Sequence, residues 1–404
     1  MFKGLNRRAF KVGGCVRDEI WGAPVHDVDY VIEKCGIAEF RGYFSAEEAP
    51  LIGTKPNSPP VFSVTDPKTG IKCETALART EEKVDDTYTG YQFNLNVSIE
   101  EDLARRDFTM NSIATHYETG VIIDPFGGVA DVKAKILRCI NQTAFVEDPL
   151  RIYRGARFVP RFGLNVDLET EMLMAENAPN LIHILPERVH LELTKVYKEC
   201  KKPSSFFYFL NRIDALRTHF KPLFCSTKVT AGPVQWHGGK SAFVHMLDAF
   251  DYAKDHDYSF DVALAALFHD TGKGITQRSI LPNHHGHEKR SFIINQQYVK
   301  QHRFTKPQEE MIVGFGLNHM KFHFIESMTP TRLVRFYRAI KKYAPEYIQA
   351  ANCDTPLNQR QLDILELTRL AIKDTSIDIP KGCKDIPTFV ENKFAETLRR
   401  MLGK

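Results

Sequence analysis

The chain is poor in several features, and each shortage removes a class of explanation. No apolar run approaches the roughly 20 residues that a membrane-spanning helix needs, and Met1 to Phe10 carries charge without the apolar centre of a secretion signal. The expectation is a chain with no membrane partner. The eight cysteines, at positions 15, 35, 73, 139, 200, 225, 353 and 383, form no Cys-x-x-Cys pair and show no other metal-ligand spacing, which suits a reducing cytoplasm. Repeats and low-complexity tracts are absent. Neither sign of charge dominates: a net charge of +4 and a pI near 8.5 permit an RNA partner without requiring one. With 404 residues, 43% hydrophobic and 26% charged, the chain has material for two to four domains with true cores.

Among what is present, Gly13-Gly14-Cys15-Val16-Arg17-Asp18 stands out. Val12 ends a strand-like run, and Cys15 to Trp21 reads as a helix. The glycines then form a turn whose backbone N–H groups can approach an anion at a helix N-terminus, with Arg17 offering a fork of donors. Taken alone, a double glycine is a turn. After eight intervening residues comes Asp27-Val28-Asp29, in a stretch from His26 to Ile32 where Val28, Tyr30 and Ile32 alternate with the acids. On a strand both carboxylates face one side, with Cα atoms about 6.6 Å apart. That suits two metal ions roughly 3.5–4 Å apart for phosphoryl transfer.

Asp148, Arg151, Arg154 and Arg157 follow a three-residue step and are expected on one helical face. Cytosine and adenine both present an exocyclic amine beside an unprotonated ring nitrogen. Asp148 can accept from the amine while Arg151 donates to the ring nitrogen, so one pair of side chains can choose both bases. Arg154 and Arg157 can bind base or phosphate. Asp148 before Pro149 also reads as an N-cap with proline at the first helical position. Further on, ten of the fifteen histidines fall between His237 and His323, and such clustering suggests metal. His269-Asp270, at the end of an apolar helix, can offer an imidazole nitrogen and a carboxylate oxygen to one ion.

In order, these segments resemble the class II bacterial CCA-adding enzymes, tRNA nucleotidyltransferases of the nucleotidyltransferase superfamily. Glu74-Thr75-Ala76-Leu77-Ala78-Arg79-Thr80-Glu81 is similar to that family's strand and flexible loop, and Arg105-Arg106-Asp107-Phe108-Thr109-Met110-Asn111 to its ribose-binding motif. Glu147-Asp148-Pro149-Leu150-Arg151 resembles its base-selecting motif and Pro186-Glu187-Arg188-Val189 a later structural motif. The resemblance implies Asp27, Asp29 and Glu74 as catalytic carboxylates, with Mg²⁺ on Asp27 and Asp29. It implies nucleotide contacts from Gly14, Arg17, Arg106, Asp107, Asn111, Asp148, Arg151, Arg154 and Arg157. In the ribose motif Arg106 supplies a cation, and Asp107 or Asn111 a hydrogen bond to sugar hydroxyls. The histidine-rich part resembles an HD phosphohydrolase domain. By matching position its ligands are His245, His269, Asp270, His287, His319 and Asp354. Met320 after His319 departs from the Asp that relatives can carry there. The metal is a divalent transition ion: Ni²⁺, Mn, Fe or Zn.

The implied fold is α+β: a nucleotidyltransferase head with a small mixed sheet, an all-helical neck and body, and a helical HD domain. The expected boundaries are 1–138 for the head, 139–225 for the body, 226–240 for a linker marked by Gly232-Pro233 and Gly238-Gly239, 241–360 for the HD domain and 361–404 for a helical tail. Asn57-Ser58-Pro59-Pro60 marks an insertion relative to the family pattern. The implied function is template-independent addition of C, C and A to the 3′ end of tRNA from CTP and ATP. The implied HD activity is that of a 2′,3′-cyclic phosphodiesterase, 2′-nucleotidase and phosphatase. Expected partners are tRNA, CTP and ATP, with neither DNA nor membrane, for a monomer or homodimer. The alternatives are a poly(A) polymerase, a partial-CCA enzyme, or an HD phosphohydrolase with an inactive RNA-binding head.

Overall fold

The computed structural model describes residues 1–25, 27–52, 59–66, 70–83, 91–377, 379 and 385–403; His26, Asn57, Ser58 and Cys383 lie outside the described residues. Two compact units form, residues 1–185 with 212–215 and residues 186–211 with 216–404. The division crosses the expected 139–225 body instead of following its ends. No helix among the described residues is long and apolar enough to cross a membrane, and the seven described cysteines are free thiols.

The first unit is built on strands β1 (Ala9–Val12), β2 (Asp29–Ile32), β3 (Leu51–Ile52), β4 (Val61–Thr65), β5 (Lys72–Leu77), β6 (Arg79–Lys83), β7 (Tyr91–Leu95), β8 (Ala114–His116), β9 (Ile122–Ile123), β10 (Ile136–Leu137) and β11 (Asn165–Val166). Its helices are α1 (Gly14–Trp21), α2 (Ile37–Tyr43), α3 (Ile99–Ala104), α4 (Gly128–Ala134), α5 (Ala144–Glu147), α6 (Leu150–Phe162) and α7 (Leu168–Asn177). A seven-stranded mixed sheet runs in the order β3-β4-β5-β2-β1-β8-β9. Only β2 and β5 pair in parallel within it, with Asp29 beside Glu74 and Ile32 beside Leu77.

The expected strand from His26 is shorter than its pattern suggested. It begins at Asp29, so Asp27 sits in the preceding loop. Nor does burial alternate: Val31 and Ile32 are both sealed, because β2 is central. Ile32 packs with Phe2, Phe40, Phe62 and Leu77 on one face, and Val31 with Phe10, Val12, Ala78 and Leu103 on the other. A strand covered on both faces reads as a continuous apolar run. The expected flexible loop after Leu77 is a hairpin arm, since Arg79 to Lys83 pairs with Tyr91 to Leu95.

From residue 186 the chain is helical: α8 (Pro186–Glu199), α9 (Ser204–Arg212), α10 (Leu216–His219), α11 (Lys221–Cys225), α12 (Val234–His237), α13 (Ala242–Asp255), α14 (Phe260–Phe268), α15 (His287–Gln301), α16 (Lys306–Phe322), α17 (Pro330–Ile340), α18 (Ala344–Asp354), α19 (Gln359–Asp374) and α20 (Ile386–Met401). Helix α14 is buried all round from Val262 to Phe268, as expected of a helix surrounded by others.

Two expected boundaries change here. The 226–240 segment is a closed loop, not a bare linker: Ala231 N–H donates to Lys240 O and Ala242 N–H to Val229 O. Gly-Pro and Gly-Gly mark tight turns as readily as linkers. The 361–404 tail shares the second unit's core, where Leu365, Phe394 and Leu398 pack with Leu333, Val334 and Phe336.

Close backbone approach fixes one glycine in the head. A Cβ on Gly128, at the start of α4, would lie 2.1 Å from the Thr109 carbonyl oxygen. Gly128→Ala is expected to cost about 1–3 kcal/mol through overpacking, read as a melting temperature lowered by several degrees.

Candidate active site and candidate metal centre

The glycine turn forms as the sequence suggests. Gly13 has φ +75°, a conformation open to glycine, and directs the chain into α1. Arg17 departs from expectation. It is 4% exposed: its Nε donates to Asp18 Oδ1 at 2.8 Å, its Nη1 to Asn111 Oδ1 at 2.8 Å, and its guanidinium lies 4.3 Å from the Phe162 ring centroid. Burial, ahead of the opposing pull of Asp18, lowers its pKa. Its fork is turned onto protein groups, so here Arg17 braces the site.

Asn111 passes the connection on. Its Nδ2 donates to Asp107 Oδ1 at 3.0 Å, and Arg154 Nε donates to Asp107 Oδ2 at 2.8 Å. Phe108 N–H also donates to Asp107 Oδ1. Burial alone would raise the Asp107 pKa, but Arg154, Asn111 and that N–H hold it below the ordinary value. One chain of polar contacts thus runs Arg17–Asn111–Asp107–Arg154, joining α1, the ribose-like motif and α6. The ribose candidates Asp107 and Asn111 are 6% and 7% exposed, with these polar atoms directed at each other. Arg106 is salt-bridged to Asp102 at 2.9 Å, and its Nη1 lies 3.2 Å from where a Gly13 Cβ would stand. Gly14, the first residue of α1, is likewise near Arg17.

Asp148 does not share the helical face of the arginines. Its backbone is extended (φ −139°, ψ 97°), because a residue before proline is disfavoured from the helical region. Helix α6 starts two residues later, and Leu150 N–H donates to Asp148 Oδ1 at 3.1 Å. The capping role is therefore present, with Pro149 one position earlier than expected. Arg151 is anchored on main-chain carbonyls, Nη1 to Ala144 O at 3.1 Å and Nη2 to Arg105 O at 2.6 Å. Arg157 is 3% exposed and lies 4.5 Å from the Phe158 ring centroid.

Asp29 and Glu74, in register on parallel strands, point to one face, and Asp27 precedes them. All three residues are exposed. Desolvation, then the like charges of Glu74 and Asp27, raise the Asp29 pKa, while Arg106 opposes. A divalent cation would relieve this repulsion, and oxygen ligands are what Mg²⁺ takes. Among the described residues, the groups of three ligand atoms within 4.8 Å of one another do not include this trio; they lie in the second unit.

There the six expected side chains converge. His245 comes from α13, His269 and Asp270 from the end of α14, His287 from the start of α15, His319 from α16 and Asp354 from the end of α18. Asp270, 1% exposed, lies between two groups. Its Oδ2 is 3.1 Å from His269 Nε2 and 3.4 Å from His245 Nε2; its Oδ1 is 3.0 Å from His287 Nε2 and 3.3 Å from His319 Nε2. Asp354 Oδ1 is 3.1 Å from His245 Nε2. Burial would raise Asp270, but His269 and Lys273 hold it well below the carboxylate range.

These groups fit a cation. The Nδ1 atoms of His269, His287 and His319 lie 2.7, 2.9 and 2.9 Å from the carbonyls of Ala266, His284 and Gly316. A carbonyl only accepts, so each Nδ1 carries the hydrogen and each Nε2 of a neutral ring presents a lone pair, the arrangement of metal-ligating histidine. His287 Nε2 and His319 Nε2 face each other at 3.0 Å. His245 Nε2, His269 Nε2 and Asp270 Oδ1 are buried without a hydrogen-bond partner among the described residues.

Sequence reasoning assigned no role to Lys273 or His323. Lys273 Nζ is 2.6 Å from Asp270 Oδ2, and His323 Nε2 is 3.1 Å from Asp354 Oδ2. Both carried a signal: each stands one helical turn after an expected ligand, Asp270 and His319. Met320 lines the cavity above the cluster.

Comparison with known proteins agrees with this architecture. The Poly A polymerase head domain family matches residues 9–138. The Multifunctional CCA protein of Nitrosospira multiformis is 37% identical over 360 residues, 86% of this chain and 83% of that protein. Its counterpart in Methylobacillus flagellatus is 38% identical over 339 residues, covering 81% and 78%. Among solved structures, the Thermotoga maritima CCA-adding enzyme complexed with tRNA superposes with a TM-score of 0.62 at 20% identity, covering 100% of this chain and 91% of that one. The Bacillus stearothermophilus CCA-adding enzyme in complex with CTP gives 0.64 at 21% identity, covering 98% and 88%. The first unit carries a nucleotidyltransferase head. The chain as a whole belongs to the family of the multifunctional CCA proteins.

The polar chain through Asn111 is directly testable. Asn111→Ala leaves a buried Arg17 donor unmatched and removes one of the two hydrogen bonds on Asp107 Oδ1, at a cost of about 1–3 kcal/mol. A lowered unfolding midpoint in denaturant is the expected reading.

Proposed function

We propose that the first unit adds C, C and A in turn to the 3′ end of tRNA, taking CTP and ATP and releasing pyrophosphate. The observation that carries this reading is the in-register placement of Asp29 beside Glu74, next to Val12 where β1 runs into α1 and the Arg17–Asn111–Asp107–Arg154 chain begins, in a chain of this family. Asp27 and Asp29 would hold Mg²⁺, with Glu74 the third carboxylate. Bound there, Mg²⁺ supplies a lowered pKa for the attacking hydroxyl and charge compensation for the leaving pyrophosphate. Asp148 and Arg151 choose the base, Asp148 accepting from the exocyclic amine and Arg151 donating to the ring nitrogen. Arg151 is suited to this because two main-chain carbonyls fix its guanidinium. Arg106 and the Gly13–Gly14 turn face the sugar and phosphates, while Arg154 and Arg157 shape the far side.

Supplying tRNA transcripts that end before CCA, after C and after CC, with each labelled nucleotide alone and together, tests this at single-nucleotide resolution. C, C, then A with a stop is expected. A long A ladder would select the poly(A) polymerase alternative. Asp29→Ala is expected to bring incorporation to background with the fold retained. Asp148→Ala is expected to cut discrimination of CTP and ATP against UTP and GTP by roughly 5- to 150-fold, the value of about 1–3 kcal/mol for a bidentate base contact.

A second activity is favoured by the inward-facing imidazole lone pairs of the second unit. We infer a divalent transition metal held by His245, His269, Asp270, His287, His319 and Asp354, and phosphohydrolase action on 2′,3′-cyclic and 2′-phosphates. The metal would supply an activated water; Lys273 holds Asp270 ionised. Metal analysis of purified protein is expected to find a transition ion that is lost in Asp270→Ala and in His269→Gln, together with hydrolysis. Hydrolysis undiminished in both variants would refute this assignment.

A further inference from the structure

The cavity over the His/Asp cluster measures about 770 Å³, in the range of pockets that take drug-sized ligands. Two large rings on its lining stand out in water: Trp236 is 75% exposed and Phe324 is 54% exposed. Trp236 rides on α12, inside the closed loop pinned by the Thr230–Ser241 bridge, and its neighbour His237 lies against His245, ring centroids 5.1 Å apart. Phe324 directly follows His323. Each ring is thus attached, within one residue, to a histidine in contact with the cluster.

Phe324 also belongs to a second groove. This groove, of about 560 Å³, shares Glu288, Met320 and Phe324 with the first cavity, so the two adjoin along a common rim. Its floor is apolar, with Met328 and Phe336, and its cations are Lys321, Arg332 and Arg335. Arg335 is salt-bridged to Glu391, and Lys321 donates to Asn318. Arg332 is exposed, and among the described residues its guanidinium has no ion-pair partner. Exposed aromatic faces alternating with cations are the elements that bind an unpaired nucleic-acid strand, through base stacking that tolerates any sequence and charge that follows the backbone.

We propose that the second unit binds the single-stranded 3′ end of RNA across at least two nucleotides. The terminal base stacks on Trp236 with its phosphate over the cluster. The preceding base stacks on Phe324 in the second groove, and its phosphate meets Arg332. This inference rests on the phosphohydrolase reading of the cluster and adds to it the substrate class: an RNA end, not a free mononucleotide, and a strand rather than a duplex.

The chain has two tryptophans, Trp21 and Trp236, and Trp21 packs on Phe162 in the first unit. In full-length Trp21→Phe, tryptophan emission therefore reports on Trp236 alone. Titration with the dinucleotide CpCp and with cytidine 3′-monophosphate is expected to quench this emission, the dinucleotide binding about tenfold tighter. Phe324→Ala and Arg332→Ala, made separately in that background, are expected to remove most of the dinucleotide's advantage and to leave mononucleotide binding unchanged. In turnover of the corresponding 2′,3′-cyclic phosphates both variants should raise KM for the dinucleotide with kcat unaltered, and C, C and A addition should stay at the parent level, which also reports that the chain is folded. Cyclic-phosphate hydrolysis without quenching, or with equal KM for both substrates, would overturn this proposal and leave the phosphohydrolase reading standing. Quenching with dinucleotide preference but no hydrolysis would support RNA-end binding and overturn the phosphohydrolase reading.

Discussion

A carboxylate taken out of water must be met by cations and donors in fixed places, or it costs more than the fold can supply. That constraint organises both units. In the first, Asp107 is buried and satisfied by a backbone N–H, by Asn111 and by Arg154, so α6 is locked to the ribose-like segment, and α1 joins them through Arg17 on Asn111. Asp102 does the same nearby, sealed from solvent between Arg105 and Arg106. In the second unit Lys273 meets one oxygen of Asp270, while the other is buried among imidazole nitrogens without a hydrogen bond among the described residues, a deficit that a cation would make good.

The two candidate metal sites meet the constraint in opposite ways. Asp27, Asp29 and Glu74 are exposed acids gathered at one end of the central strands, an accessibility that suits ions exchanged with a bound substrate. The cluster around Asp270 is assembled by five helices and lies largely buried at the base of its cavity. Its ring orientations are set by hydrogen bonds from each Nδ1 to a backbone carbonyl three residues earlier, so its geometry is tied to the helix ends that carry it. Such a site suits a resident ion.

How far the sequence could be read follows from what each residue reports. Gly13 announced its turn because positive φ is a local property. His269-Asp270 and the histidines after it were legible because helix ends and helical spacing place side chains predictably. The pairing of Asp29 with Glu74 came through resemblance, since nothing local in either strand says that the two run side by side. The internal contacts of Arg17 were not legible for a physical reason: a guanidinium behind a glycine turn looks the same in sequence whether it meets a ligand or an internal Asn and Asp. Asp148 was placed on a helical face that its neighbour Pro149 forbids, and the segment 226–240 was read as a linker because closed loops and open ones use the same glycines. The alternation read from His26 to Ile32 has no counterpart in burial, because β2 is covered on both faces.

The parallel pairing of β2 with β5 has a consequence for how this chain can change. The two strands are joined by everything between Glu33 and Ile71, a stretch that includes α2, β3 and β4. Because the ladder itself fixes Asp29 against Glu74, the length of that excursion is uncoupled from the spacing of the two acids. A single residue added inside β5 would instead turn Glu74 to the opposite face. The excursion is therefore a natural port for a tether, a tag or an evolutionary graft, while the strands it connects can drift only by substitution.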